Sequence, residues 1–145
     1  MTRLVIQSFL AAIGLVFFAG CDSNGLSWDT YWRSERYVLL AIDARAAMSL
    51  SFDEGDGTAL GLVGATVFAI GSDDKYIVVK QHPSTDNFGA FNRSITNYFV
   101  VERNSSPSYT ERQKGVRGPL TRDEFEKLAA TLSLPKFTKT FDDLQ

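Results

Sequence analysis

The chain has 145 residues with a formal net charge of −2 at neutral pH, from 15 basic and 17 acidic side chains. A weakly acidic chain without a dense basic patch has no reason to bind nucleic acid, and a single cysteine excludes a disulfide framework. The length corresponds to one domain. Eleven Phe, five Tyr and two Trp, together with repeated β-branched runs, indicate a sheet-rich fold.

Residues 1–20 have the layout of a secretory signal peptide. Arg3 is the one charged residue in this segment, residues 4–18 are almost entirely apolar, and Ala19 and Gly20 are small. A positive start, an apolar run and small residues are typical of an exported precursor. The apolar run is shorter than the ~20 residues that comfortably cross a hydrocarbon core, so we favour cleavage over a membrane span.

Phe18-Ala19-Gly20-Cys21 resembles the lipobox of bacterial lipoprotein precursors. The resemblance implies cleavage between Gly20 and Cys21 and transfer of a diacylglyceryl group to the Cys21 thiol. Phe18 replaces the usual aliphatic residue at this position, which predicts less efficient cleavage. The alternatives are an uncleaved helical anchor, simple secretion with a free Cys21, and a buried structural cysteine. One acyl chain alone anchors a protein only marginally, so durable anchoring requires two or three chains.

The expected location follows from this anchor. Asp22 directly follows Cys21, and in enterobacterial lipoproteins an Asp at that place resembles a signal for retention in the inner membrane. We therefore expect a lipid-anchored protein of the bacterial cell membrane that faces the periplasm or the cell exterior, with the inner membrane favoured in a Gram-negative organism. Residues 21–27 would form a lipidated spacer. Residues 28–145 would form a single domain, which we expect to be monomeric.

Several apolar runs predict strands of an antiparallel sheet. Residues 37–42 indicate a buried strand, with a helix as the competing interpretation, and residues 48–52 alternate as a half-exposed strand does. Residues 66–70 and 76–81 flank a polar loop containing glycine, which predicts a hairpin. Residues 95–103 predict a further strand. Because residues 76–81 and 95–103 carry apolar groups on both faces, we expect both to be central strands.

A capping pattern predicts one C-terminal helix. Thr121 and Glu124 have the spacing of a capping box, and Leu120 and Phe125 that of a hydrophobic staple. The helix should run from Thr121 to about Leu132 and end before a proline. Its apolar stripe would pack on the sheet. The expected fold class is therefore α+β, an antiparallel meander-like sheet of about five to seven strands with this helix packed on it.

Two stretches of the globular part resemble an uncharacterised family of small, secreted or lipid-anchored bacterial proteins. They are residues 67–83, continued at residues 98–101, and residues 118–125. The resemblance covers about half of the chain when the loop between the stretches is included. It implies a fold and a location, and it implies no activity.

The acidic and histidine residues give no convincing catalytic or metal site. Residues 53–57 hold three acids and two glycines, but their spacing favours a solvated turn over a calcium loop. His82 is the only histidine, and we expect it to be a hydrogen-bonding loop residue rather than a catalyst. We therefore predict no catalytic residue, no metal and no cofactor. The alternative is a hydrolase of cell-wall or glycan material, which would need two carboxylates ~5–10 Å apart. Its carboxylates would come from Asp53, Asp56, Asp73 and Glu102.

The remaining expectation is a binding function. Phe88 and Phe91 lie in a polar loop, where they either fold back into a small core or contact a partner. With Tyr109 they are the candidate contacts with an envelope protein. An inhibitor, an immunity or exclusion factor, or an accessory subunit of an envelope complex would suit such a domain. A structural scaffold against the membrane is a further alternative. The segment with Arg112, Lys114 and Arg117 is interpreted as a solvated loop, in preference to a contact with acidic phospholipid.

Overall fold

A computed structural model describes residues 28–86, 89–104 and 106–145. The predicted lipidation, cleavage and sorting residues Cys21, Gly20 and Asp22 lie outside the described residues, as does Phe88. The first sheet has the order β1-β2-β3-β4 and consists of β1 (Asp29–Ser34), β2 (Tyr37–Ala41), β3 (Ser49–Asp53) and β4 (Ala59–Val63). The second has the order β8-β7-β6-β5-β9 and consists of β5 (Val67–Ser72), β6 (Tyr76–Gln81), β7 (Asn97–Glu102), β8 (Val116–Leu120) and β9 (Lys139–Thr140).

The helices are short. A 3-10 turn at Arg45–Ala47 follows β2, α1 spans Tyr109–Lys114 and α2 spans Arg122–Leu132. Residues 37–41 thus form a strand, as favoured, and the competing helix is limited to that single turn. Among the described residues, no helix has the length and apolar character needed to cross a membrane.

The two sheets and α2 form three layers, and the second sheet is the central one. Ile77 and Val79 of β6 belong to the apolar cluster that also contains residues of the first sheet. Val78, which lies between them, belongs to a second cluster with Phe125 of α2. Successive side chains of a strand point to opposite faces, so a strand covered on both sides needs an unbroken apolar run. The prediction that β6 and β7 are central strands is confirmed.

The expectation of one meander-like sheet is wrong, because the nine strands of the described residues divide between two sheets. All pairings are antiparallel, as expected. The chain leaves the first sheet after β4, and the Val67 N–H then bonds the Met48 carbonyl oxygen at 2.8 Å instead of continuing the first sheet beside β4. From sequence, the β3–β4 and β5–β6 segments resemble consecutive hairpins, and alternation within a strand does not reveal which neighbour it pairs with.

The predicted C-terminal helix is confirmed, with its capping box. The Glu124 N–H donates to the Thr121 hydroxyl oxygen at 3.3 Å, and the Thr121 N–H donates to the Glu124 carboxylate at 2.7 Å. These bonds satisfy two helix N–H groups that have no carbonyl partner within the helix. Phe125 then packs against Tyr98 of β7, with ring centroids 5.0 Å apart. Helix α2 therefore covers the outer face of the second sheet.

Candidate functional site

Three arginines surround two aromatic rings where the β1–β2 turn, the end of β3 and the end of β7 meet. We call Arg36, Arg103, Arg112, Tyr37 and Phe52 the arginine site. Tyr37 opens β2 and is the cross-strand partner of Phe52 in β3. Side chains of directly paired residues share one face of a sheet. The two rings meet edge to face with centroids 5.1 Å apart, and both are almost fully buried.

Arg112 is the most buried charged residue of the site. It lies in α1, it is only 2% exposed, and its guanidinium carbon is 3.4 Å from the centroid of the Phe52 ring. Its Nη1 donates to Glu54 Oε1 at 2.8 Å. A buried cation requires a charge partner because the loss of hydration is expensive. Glu54 supplies that partner, and Phe52 adds a cation–π contact.

Arg36 approaches the same ring and the same carboxylate from the β1–β2 turn. Its guanidinium carbon lies 4.5 Å from the Phe52 centroid, and its Nη2 is 3.4 Å from Glu54 Oε2. Its Nε donates to the backbone oxygen of Asp53 at 2.8 Å. Glu54 thus accepts from two guanidinium groups, one exposed and one buried, and this part of the site carries a local excess of positive charge.

Arg103 enters from the end of β7 and contacts the other ring. Its guanidinium carbon lies 5.3 Å from the centroid of Tyr37, and its Nη1 is 3.4 Å from Glu35 Oε2. Its Nη2 donates to the Ser34 hydroxyl. The side chain of Arg103 is 10% exposed, whereas that of Glu35 is 81% exposed, so the carboxylate is hydrated and the guanidinium is not.

Two buried donors of the site have no acceptor in the part of the chain that the structure describes. The Nε atoms of Arg103 and Arg112 are buried and have no hydrogen-bond partner among the described residues. Folded proteins leave few buried N–H groups unpaired, because an unmade hydrogen bond costs about 1–3 kcal/mol. Guanidinium groups bind carboxylate or phosphate through paired N–H donors. The arrangement is therefore chemically suited to an anionic ligand.

The acidic residues of the adjacent turn have structural partners. Asp53 Oδ2 accepts from Arg33 Nη1 at 2.9 Å, and its Oδ1 accepts from the Gly55 N–H at 2.9 Å. These two hydrogen bonds lower the pKa of Asp53 below its usual value, the Arg33 bond being the stronger cause. Asp56 Oδ1 accepts from the Thr58 N–H at 3.1 Å. The segment is a turn closed by its own carboxylates, as the favoured interpretation expected.

Two further acids named for the hydrolase alternative lie elsewhere. Asp73 Oδ1 accepts from the Lys75 and Tyr76 N–H groups at 2.8 Å in the β5–β6 turn. Glu102 is an exposed residue that ends β7 and faces Tyr76 in the register. Asp53, Asp56 and Asp73 thus all stabilise turns. In the part of the chain that the structure describes, no three His, Cys, Asp or Glu side chains lie close enough to hold a metal ion.

His82 is a buried hydrogen-bonding residue, and its surroundings are aromatic. Its Nδ1 lies 2.7 Å from the carbonyl oxygen of Ile95, which can only accept, so Nδ1 carries the proton. The ring stacks on Phe68 at 4.2 Å and on Phe91 at 5.9 Å between centroids. The expected hydrogen-bonding role is confirmed. The sequence pattern gave no sign of its burial.

The candidate partner contacts differ in exposure. Phe91 is partly buried and packs against the core cluster between the sheets, which corresponds to the interpretation that this loop folds back. Tyr109 is 37% exposed, and its hydroxyl donates to the Gly61 carbonyl oxygen at 2.7 Å. Of these two residues, Tyr109 presents the larger fraction of its surface to a partner.

Most of the arginine site was not predicted from the sequence. The interpretation of Arg112 as part of a solvated loop is wrong, because α1 buries this side chain against Phe52. Helix α1 has six residues, too few to show an apolar period, and the residue it buries is charged. One feature of the sequence pointed to the site. Phe52 and Glu54, which both contact Arg112, are two positions apart, and an extended chain places such residues on one face.

The comparisons with known proteins give a family and no further match. A family described as proteins of unknown function, DUF3997, matches residues 34–144. No curated protein and no solved structure matches the chain.

Proposed function

The chain belongs to the DUF3997 family, and we propose that it is a lipid-anchored protein of the bacterial cell envelope that binds an anionic ligand in the arginine site. One observation carries the proposal of binding. Arg103 and Arg112 each keep a buried Nε donor without an acceptor, in a site with more guanidinium groups than the described carboxylates satisfy. Arg36 and Arg112 also line one cavity, where a carboxylate or phosphate group would accept from their remaining guanidinium N–H groups.

The energetics favour a functional role over a purely structural one. Burying a charged pair rarely stabilises a fold more than apolar residues of the same volume would. Arg112 is nevertheless buried, and it is placed on Phe52 with an unused donor. Positions that sacrifice stability in this way are common at binding sites, where the ligand recovers the cost.

The proposed location depends on the leader sequence. Phe18-Ala19-Gly20-Cys21 supports a diacylglyceryl anchor at Cys21, and Asp22 supports retention at the inner membrane where that sorting rule applies. The described domain begins only seven positions after Cys21, at Trp28. A tether of that length would hold the arginine site near the membrane surface. The proposed binding role also predicts a protein partner that contacts Tyr109.

The anchor and the binding site can be tested separately. For the anchor, intact mass of the protein from the membrane fraction is compared with that of Cys21→Ala. We expect a chain that begins at Cys21 and carries added acyl mass, which is lost in the variant. An unmodified chain that retains residues 1–20 would contradict lipidation.

For the binding site, thermal unfolding of the full chain in detergent micelles is followed during titration with acetate and with phosphate at constant ionic strength. A ligand that binds only the folded protein raises the unfolding temperature. We expect a rise in the wild type and none in Arg112→Met. Arg122→Met is the matched control, because Arg122 is an exposed residue of α2 that pairs with Glu126. The same response in all three proteins, or none in any, would refute the site.

A further inference from the structure

The arginine site opens into two adjoining hollows. Glu35, Tyr37 and Asn104 line both hollows. The first has a volume of about 290 Å³ and is also lined by Arg36, Phe52 and Arg112. The second has a volume of about 230 Å³ and is also lined by Asp74 and Arg103. Pockets for small molecules have volumes of roughly 300–1,000 Å³, so each hollow suits only a fragment of a ligand, and the two together suit a small one.

The two hollows differ in the charged groups that line them. The guanidinium groups of Arg36 and Arg112 line the first together with Glu35, and both guanidinium groups also pair with Glu54. The carboxylates of Glu35 and Asp74 line the second together with Arg103. Glu35 and Asp74 are exposed. Asp74 forms no hydrogen bond or ion pair with the other residues that the structure describes. An ammonium group can therefore approach Asp74 without displacing an existing partner.

Tyr37 and Asn104, which line both hollows, are held in fixed positions. The Asn104 N–H donates to the Tyr37 hydroxyl at 3.3 Å, and the Arg103 guanidinium lies over the Tyr37 ring. Tyr37 is 3% exposed, so its ring is fixed by packing. A hollow rich in guanidinium groups and a hollow rich in carboxylates are thus held on either side of one fixed aromatic residue, and this preorganisation reduces the entropic cost of binding.

From this geometry we infer that the ligand of the arginine site is a short peptide with a free amino and a free carboxyl terminus. This inference rests on the proposed anion binding. The carboxylate accepts from Arg112 and Arg36 beside Phe52, and the ammonium group lies in the hollow of Glu35 and Asp74. An α-amino acid separates its two charges by only two bonds through Cα, whereas each added residue extends the chain by up to ~3.5 Å. A dipeptide or tripeptide therefore suits two separate hollows better than a single amino acid does.

The test measures affinities by isothermal titration calorimetry of the full chain in detergent micelles. The four probes are Ala-Ala, N-acetyl-Ala-Ala, Ala-Ala amide and acetate. We expect Ala-Ala to bind about fivefold more tightly than its N-acetyl form, the upper range for an ion pair between exposed groups. We expect amidation of the carboxyl terminus to weaken binding by at least about tenfold, because it removes the negative charge and replaces one of the two acceptor oxygens by an NH2 donor.

Two variants assign the ammonium group to its hollow. Asp74→Asn should weaken the binding of Ala-Ala towards that of the N-acetyl form, with Glu35 retaining part of the ammonium contact, and leave the affinity for N-acetyl-Ala-Ala unchanged. Asp142→Asn, at an exposed acid outside both hollows, should change neither affinity. A loss of folding would instead lower both affinities in Asp74→Asn.

The outcomes separate this inference from the proposed function. Equal binding of Ala-Ala and its N-acetyl form overturns the inference and leaves anion binding intact. Binding of acetate as tight as that of Ala-Ala overturns it as well. If none of the four probes binds, and phosphate also fails to raise the unfolding temperature, then both the inference and the anion-binding proposal are wrong.

Discussion

The guanidinium of Arg112 stacks on the ring of Phe52, with its central carbon 3.4 Å from the ring centroid. The contact joins α1 to the end of β3, and the ion pair of Arg112 with Glu54 spans 58 positions of the chain. It places a buried cation at the junction of the sheets, where an apolar side chain would have sufficed for packing. Stability and binding should therefore respond differently to substitution at this position.

Replacing Arg112 separates packing from charge. We expect Arg112→Ala to lower the free energy of unfolding by about 3 kcal/mol, because it leaves a cavity and removes a partner of Glu54. Arg112→Met keeps most of the volume, and Glu54 retains Arg36. The free energy of unfolding of Arg112→Met should lie within about 1 kcal/mol of the wild-type value. Urea unfolding of the full chain in micelles measures both values, and equal losses in the two variants would contradict this account.

Asp73 should make the stability of the β5–β6 turn depend on pH. The Tyr76 and Lys75 N–H groups donate to its carboxylate and lower the pKa of Asp73. A carboxyl whose pKa is lower in the folded than in the unfolded state stabilises the fold above the unfolded value of about 3.9. That contribution disappears as the pH falls through the lower, folded pKa.

The corresponding variant is Asp73→Ala. We expect it to cost about 1 kcal/mol at pH 7, as for one net hydrogen bond, and less at pH 2, because protonation of the wild-type carboxyl increases as the pH falls. Asp73→Asn is the control, since it keeps an acceptor for the two N–H groups without the charge. Urea unfolding at the two pH values measures the difference. A cost of Asp73→Ala that stays constant with pH would exclude the ionised carboxylate as its source.

The sequence predicts the parts of this fold that are determined locally. The β5–β6 hairpin, the central strand β7 and the cap of α2 all depend on residues within a few positions of one another. The division into two sheets depends on which strands pair, and strand alternation contains no such information. The same limit applies to the arginine site, because Arg36 lies in the β1–β2 turn whereas Arg103 and Arg112 lie between β7 and β8, and only the folded chain brings them together.

Two further segments show the same division at the level of single side chains. Tyr31 and Trp32 of β1 pack against the core between the sheets. The C-terminal tail at residues 136–145 contributes β9, which pairs with β5, and it buries Phe141 and Leu144. The burial of these two side chains depends on the distant strand β5, which local sequence does not reveal.

The cap of α2 offers a prediction with an internal control. We expect Thr121→Ala to lower the free energy of unfolding by about 1 kcal/mol, because the Glu124 N–H loses its acceptor. Thr131 is an exposed threonine of the same helix whose hydroxyl donates to the Lys127 carbonyl oxygen. Thr131→Ala should cost nothing or stabilise slightly, since alanine favours helix more than threonine does. Chemical denaturation measures both, and a larger loss at Thr131 would contradict the assigned cap.

Gly71 in β5 tests the docking of the C-terminal segment. A Cβ atom added there would lie 1.9 Å from the Lys136 carbonyl oxygen, so the backbone of that segment would have to move. We expect Gly71→Ala to lower the free energy of unfolding by about 2 kcal/mol through overpacking. It should also increase hydrogen exchange at Phe141, whose N–H bonds the Phe68 carbonyl oxygen in this segment.

Gly64→Ala is the matched control for Gly71→Ala, because a Cβ at Gly64 meets no atom within 4 Å. Its stability should lie within about 0.5 kcal/mol of the wild type. Thermal unfolding compares the two variants, and hydrogen exchange followed by mass spectrometry locates the change. Exchange at residues 136–145 that is unaltered in Gly71→Ala would show that the close approach to Lys136 does not hold this segment in place. Because β9 pairs with β5 directly beside Gly71, at Ile70 and Ala69, the loss should be confined to this edge of the second sheet.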